Sequence, residues 1–180
     1  MPDTQWPRFE VFQQDRAGRP YQNVGSVHAP DAEMALQNAR DVFVRRPRCH
    51  GLWVVPAESI VTSGLQATPV EGPGRRDGAG AEEYCVFGKT SQRRSMSYVS
   101  ELGRVTAANP RMALAEGQQK FADETVYAWW VFPVTAVVSS RTEDVESMFA
   151  PAEDKDYRMP QQYRVFSEMM ALRQDEEDRD

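Results

Sequence analysis

The chain has 180 residues, with 21 Lys and Arg against 27 Asp and Glu, a formal charge of −6. That balance supplies no basic face, which excludes a protein that tracks nucleic-acid phosphates or an anionic membrane surface. With 41% hydrophobic and 27% charged residues the composition is globular, and the longest apolar stretch, 126–138, contains Pro133 and is too short to cross a bilayer. Met1-Pro2-Asp3-Thr4-Gln5 has neither the basic region nor the apolar core of a signal peptide, so the cytoplasm is the expected location. Cys49 and Cys85 alone cannot build a disulfide framework or a zinc site.

Phe9-Glu10-Val11-Phe12 alternates apolar and polar residues before a turn-rich stretch from Asp15 to Pro20, which predicts a strand and then a loop. Val24 to His28 reads as the second strand of a hairpin, and its Gly25 marks a bulge or a close backbone approach. Asp31 is a helix cap. Ala35, Leu36, Ala39, Val42 and Phe43 then recur at helical spacing and form the packing face, with Gln37, Asn38 and Arg40 toward water, and Pro47 stops the helix. Leu52-Trp53-Val54-Val55 is short and continuously apolar, the pattern of a strand buried on both faces.

The same series then returns. Residues 24–36 lie over 102–114 at a shift of 78, which also sets Phe43 on Phe121. A shift of 77 sets Trp53-Val54-Val55-Pro56 on Trp130-Val131-Phe132-Pro133 and Ile60-Val61 on Val137-Val138, and a shift of 75 sets Phe9-Glu10-Val11-Phe12 on Tyr84-Cys85-Val86-Phe87. Asn109 followed by Pro110 repeats the helix start, with proline where its missing N–H costs nothing. Nearly equal shifts with small loop gaps read as a tandem duplication. The expected fold is α+β: two ββαβ repeats forming an intramolecular pseudo-dimer, with a C-terminal extended segment and short helix. Its parts are a first repeat at 1–63, a Gly- and Pro-rich linker at 64–81, a second repeat with a C-terminal docking segment at 82–172, and an acidic tail at 173–180.

Signals for chemistry are sparse. No G-x-S-x-G, G-x-G-x-x-G, Walker loop or H-E-x-x-H pattern occurs, nor a Glu-x-x-His pair of the kind that holds a di-iron centre. His28 and His50 stand without a metal-spaced cluster and read as a helix-flanking and a loop histidine, and Arg93-Arg94 as a solvated loop. No catalytic residue, metal ligand or cofactor is assigned. The aromatics point elsewhere: Tyr127, Trp129, Trp130 and Phe132 crowd one strand, whose second face needs cover from the other repeat, the C-terminal segment or another protein. The stretch 149–160 has two prolines, mixed charge and no period. It reads as an extended docking element held by Phe149 and Tyr157 and oriented by Arg158, with Pro151, Lys155 and Pro160 beside them. Tyr163, Phe166, Met169 and Met170 then mark a short amphipathic helix.

Trp6-Pro7, Phe9 to Phe12, Val24 to Ala29, Asp31, Met34-Ala35-Leu36, Asn38 to Asp41 and Trp53-Val54-Val55 closely resemble the PaaB family, a small component of the bacterial phenylacetyl-CoA epoxidase. Phe149, Pro151-Ala152-Glu153, Lys155, Tyr157-Arg158, Pro160 and Tyr163 are similar to that family's carboxy-terminal segment, which occurs here once, after the second copy. The resemblance implies a non-catalytic bridging subunit of a multicomponent di-iron oxygenase that epoxidises the ring of phenylacetyl-CoA or a related aromatic CoA thioester. Iron and substrate would belong to a helical catalytic subunit. The implied partners are that subunit and its helical companions, with self-association a further expectation and neither nucleic acid nor membrane among them. The competing reading is a free-standing α+β module that binds a small aromatic ligand between the two copies, beside His28.

Overall fold

The computed structural model describes residues 6–44, 49–63, 80–92 and 98–150. Eleven elements follow one another: β1 (Arg8–Gln14), β2 (Gln22–His28), α1 (Ala32–Phe43), β3 (Gly51–Pro56), β4 (Val61–Ser63), β5 (Glu82–Gly88), β6 (Ser100–Ala107), α2 (Pro110–Lys120), β7 (Trp129–Pro133), β8 (Val138–Ser139) and α3 (Val145–Phe149). The order through β4 is the order from β5 to β8, and a 3-10 turn, Ala57–Ser59 or Val134–Ala136, precedes the last strand of each half. Described residues therefore form an α+β fold around antiparallel strands, as the spacing of apolar residues predicts.

Local chemistry repeats with the elements. Asp31 Oδ1 accepts from Met34 N at 2.8 Å and Asn109 Oδ1 from Met112 N at 2.9 Å, each satisfying an amide the helix leaves free. In the β1–β2 pair the register slips between Val11 and Phe12, opposite Gly25; in β5–β6 it slips between Val86 and Phe87, opposite Gly103. Both glycines adopt positive φ, +138° and +153°. A Cβ on Gly25 would sit 2.9 Å from the Phe43 ring, and one on Gly103 2.8 Å from the Phe121 ring. Each bulge thus opens a place for the ring at the end of its helix. The ring takes that place at the expense of its neighbour: Val42, expected on the packing face, is left 44% exposed at the last turn of α1.

All eight strands belong to one sheet, in the order β4-β7-β5-β6-β2-β1-β3-β8. The last strand of each half has crossed over. Val61 and Thr62 of β4 pair with Val131 and Trp130 of β7, while Val138 and Ser139 of β8 pair with Val54 and Trp53 of β3. Between the halves, β2 meets β6 at Gln22 and Ser100, and the amides of Asn23, Tyr98 and Glu101 bond across that seam to Val99, Asn23 and Tyr21 carbonyls.

The sheet folds on itself at the seam. Three strand spacings separate β1 from β5, roughly 14 Å in a flat sheet, yet the Phe12 and Phe87 ring centroids are 4.7 Å apart. Folding makes three cores. One lies under α1 and includes Val11, Ala35, Ala39, Leu52 and Val54, a second lies under α2, and the third lies between the halves. β3 feeds two of them, Leu52 and Val54 on the helix side and Val55 with Trp53 on the inner side, so it is buried on both faces as its composition predicts. Replacing Gly25 or Gly103 by Ala is expected to cost about 1–3 kcal/mol in urea unfolding, because it combines an unfavourable φ with a ring collision. Gly80→Ala, whose added Cβ meets nothing within 4 Å, is the control and should stay within about 0.5 kcal/mol of wild type.

Candidate functional site

The third core is where the aromatic strand spends its side chains. Phe12 lies 4.7 Å from Phe87, 5.2 Å from Phe132 and 6.3 Å from Trp130, centroid to centroid. Phe12, Val55, Cys85, Phe87, Val99 and Phe132 are buried there, with Tyr21, Trp53 and Trp130 at the margins. The cover that the second face of β7 needs is therefore the first half of the same chain. Trp129 points the other way and is 8% exposed in the core under α2.

Two aromatic pairs flank this core. Tyr21 stacks on Trp53 at 3.7 Å and 17°, while Tyr98 meets Trp130 at 5.4 Å and 43°. The first pair is closed in: a Cβ on Gly51 would collide with the Tyr21 hydroxyl, and burial, then the Glu101 carboxylate, raise the Tyr21 pKa. The second pair is open, with Tyr98 45% exposed and the Lys89 ammonium 4.7 Å from its ring centroid. Tyr21 and Tyr98 also stand at the shift of 77, a correspondence that would have marked these pairs in the sequence.

Polar groups around the seam are satisfied by the chain itself. Asn23 Nδ2 donates to Glu10 Oε2 and the Val11 carbonyl, both at 3.2 Å, and to the Gly25 carbonyl at 3.3 Å; Arg8 Nε lies 3.4 Å from the same carboxylate. Glu101 Oε2 accepts from Tyr21 N at 3.2 Å across the seam. His28 Nδ1 lies 2.7 Å from the Trp6 carbonyl oxygen, and His50 donates its backbone N–H to the Gln14 carbonyl at 2.8 Å. Among the described residues no group of three or more His, Cys, Asp and Glu side chains is placed to hold a metal ion.

The sequence-predicted docking residues divide in three. Trp129 and Phe149 both have their side chains in the chain's own cores. Phe149, expected to begin an extended segment, instead ends α3 and is 6% exposed beneath α1. Trp130 is half-buried at the margin of the inner core. Pro151, Lys155, Tyr157, Arg158 and Pro160 lie outside the described residues, as do Arg93-Arg94 and the helix expected around Tyr163 to Met170.

What the described surface does offer is uneven. Trp6 is 60% exposed beside His28, and Met34 and Val42 stand out on α1, whereas α2 exposes Met112. A groove of about 480 Å³ runs between α1 and the β8–α3 segment, with Leu36, Val138 and Met148 among its apolar residues and Arg40 and Arg141 among its charged ones. Its charges are locally compensated: Arg40 Nη2 lies 2.8 Å from Asp41, and Arg141 Nη1 3.7 Å from Glu143.

A model of the family described as "Phenylacetic acid degradation B" (PaaB) matches residues 5–70 and 81–170. The chain belongs to the PaaB family. Among curated proteins it is similar to a subunit of the 1,2-phenylacetyl-CoA epoxidase of Escherichia coli (strain K12), 46% identical over 63 residues, which are 35% of this chain and 66% of that relative. The match thus spans just under two thirds of the relative's length. No solved structure matches the chain. Membership of PaaB agrees with the resemblance carried by Phe9 to Phe12, Val24 to Ala29 and Trp53 to Val55.

Truncating Phe12 to Ala should cost about 3–5 kcal/mol, as for other buried aromatics. A double-mutant cycle with Phe87→Ala should return a coupling of about 0.5–1.5 kcal/mol; additive losses would show that the rings do not meet. Both thiols carry a second prediction. Burial pushes Cys49 and Cys85 up to about 12 from a usual value of 9.0. Between those values the unfolded chain binds fewer protons than the folded one, so stability is fully present below pH 9 and declines as pH rises toward 12. Urea midpoints measured from pH 8 to 11 should fall accordingly, and Ellman's reagent at pH 8 should label neither thiol until the protein unfolds.

Proposed function

We propose that this chain is a non-catalytic bridging subunit of a multicomponent di-iron oxygenase acting on phenylacetyl-CoA or a related aromatic CoA thioester, and that it works in the cytoplasm. The observation that carries the proposal is the PaaB family match on both sides of residues 71–80, joined to the similarity with a protein named as an epoxidase subunit. The internal arrangement supports it. The large aromatics are used to join two halves, and the His28 ring is engaged with the Trp6 carbonyl. A protein built in this way supplies shape and surface, while iron and thioester would be held by the helical subunits.

In this reading the chain is a tandem duplication, with repeats at 1–63 and 82–172 joined by 64–81 and followed by an acidic tail at 173–180. One polypeptide takes the place of a dimer of single-repeat subunits. Docking is assigned to Pro151, Lys155, Tyr157, Arg158 and Pro160, on their residue types and their similarity to the family's carboxy-terminal segment. Arginine supplies a forked donor and tyrosine a large contact area at small entropic cost, the residue types that dominate protein interfaces.

Co-expression with the helical subunits of a phenylacetyl-CoA epoxidase is expected to give a complex that survives affinity purification and gel filtration at micromolar concentration. Tyr157→Ala combined with Arg158→Ala should weaken that complex at least tenfold and leave the circular dichroism of the free chain unchanged. Failure to co-purify refutes the bridging role, and undiminished binding by the double variant moves the dock elsewhere.

A further inference from the structure

The two halves share an element order but are not interchangeable. β8 is secured on both sides of one residue of the first half: Ser140 N donates to the Leu52 carbonyl at 2.9 Å, and Leu52 N donates to Ser140 Oγ at 3.1 Å. The chain then turns through Thr142–Asp144 into α3 and sets Met148 and Phe149, 9% and 6% exposed, into the core that contains Ala35, Ala39, Leu52 and Val54. At the shift of 77 the matching positions after β4 are Glu71 and Gly72, which carry no apolar side chain. The first half therefore takes from the second a strand and a pair of core residues; it returns a strand, β4 on β7, but its positions matching that pair are not apolar.

The seam is lopsided in the same sense. Glu101 sends its carboxylate across to Tyr21 N, whereas its counterpart at the shift of 78, Asn23, turns back to Glu10, Val11 and Gly25 within its own half. Glu10 in turn stands where the second half has Cys85. A pair made of two first halves would have no Glu101 at the seam and no Met148–Phe149 beneath either helix.

We infer that the halves form an obligate heterotypic pair: the first half is completed only by the second, through β8, Glu101 and the Met148–Phe149 plug, and the pair holds together without the polypeptide that connects it. The surface of the first half that binds β8 and α3 is thus an interaction site whose fitting partner is the second half, not another copy of the first.

A protease site inserted between residues 64 and 79 of the full chain, cut after folding, tests this directly. The two pieces should co-elute at the size of the intact 20.4 kDa protein, and the melting midpoint should fall on dilution, as unfolding coupled to dissociation requires. Pieces that separate on the column, folded or not, overturn the inference. After separation in urea, the first piece alone should regain no native circular dichroism, and adding the second piece should restore it. A first piece that folds as a homodimer refutes the heterotypic requirement. In the uncut chain, Met148→Ser with Phe149→Ser should speed amide exchange in α1 and β3 at least tenfold and leave α2 unchanged; faster exchange confined to 145–150 would show that the plug completes nothing.

Discussion

Everything in this molecule depends on the contact between Phe12 and the Phe87–Phe132 pair. Phe12 belongs to the first half and the other two to the second, and the three rings lie within 5.2 Å of one another, centroid to centroid. Fully burying a side chain of this size is worth about 1.5–3 kcal/mol, and the same core also holds Val55, Cys85 and Val99. A sixty-residue unit buries too little surface to be comfortably stable by itself. Here each half meets that shortage by turning one face of its strands into an interface. The exchanged strands follow from the same constraint: once the inner faces touch, the chain leaving β3 or β7 through its 3-10 turn arrives at the other half's sheet and pairs there.

That arrangement determines what remains for partners. β3 and β7 are buried on both faces, and Trp129 and Phe149, large residues that suggest an interface, are held inside. Among the described residues, the exposed large apolar side chains are Trp6, Tyr98 and three on the outer helix faces, Met34, Val42 and Met112. The helices differ. On α1 Met34 and Val42 are exposed together with Glu33, Gln37 and Asp41, whereas the positions of α2 that match Met34 and Val42 are Met112 and Lys120. The two outer helix faces therefore differ, as those of a symmetric homodimer cannot.

Much of this fold was legible in the residues because its determinants are local. A capping Asp31 and an Asn109-Pro110 start mark the helices, glycine at 25 and 103 marks the bulges, and alternation in Phe9 to Phe12 marks a strand. The shifts of 75, 77 and 78 align the two halves with the gaps in loops. What escaped is what distant residues decide. β4 and β8 are three and two residues long, too short for any periodic signal, and they exist because β7 and β3 offer them an edge. α3 is one turn whose Met148 and Phe149 acquire a meaning only beneath α1, more than a hundred positions earlier, so Phe149 read alone resembled an exposed anchor. Val42 fits the helical stripe by spacing and is exposed because Phe43 takes the opening over Gly25.

Joining two matching halves in one chain also removes a restriction that symmetry imposes. In a homodimer every substitution occurs twice, so a carboxylate placed at the seam meets its own image and a plug beneath one helix must also suit the other. Once the halves are separate stretches of one polypeptide, each position can answer to a different neighbour. The pairs Glu10 and Cys85, Asn23 and Glu101, and Met148–Phe149 and Glu71–Gly72 are three places where they do. In each case the first half's residue bonds within its own half or contributes nothing apolar. The second half's residue instead reaches the shared inner core, the seam or the opposite helix. At these positions the second half braces the first.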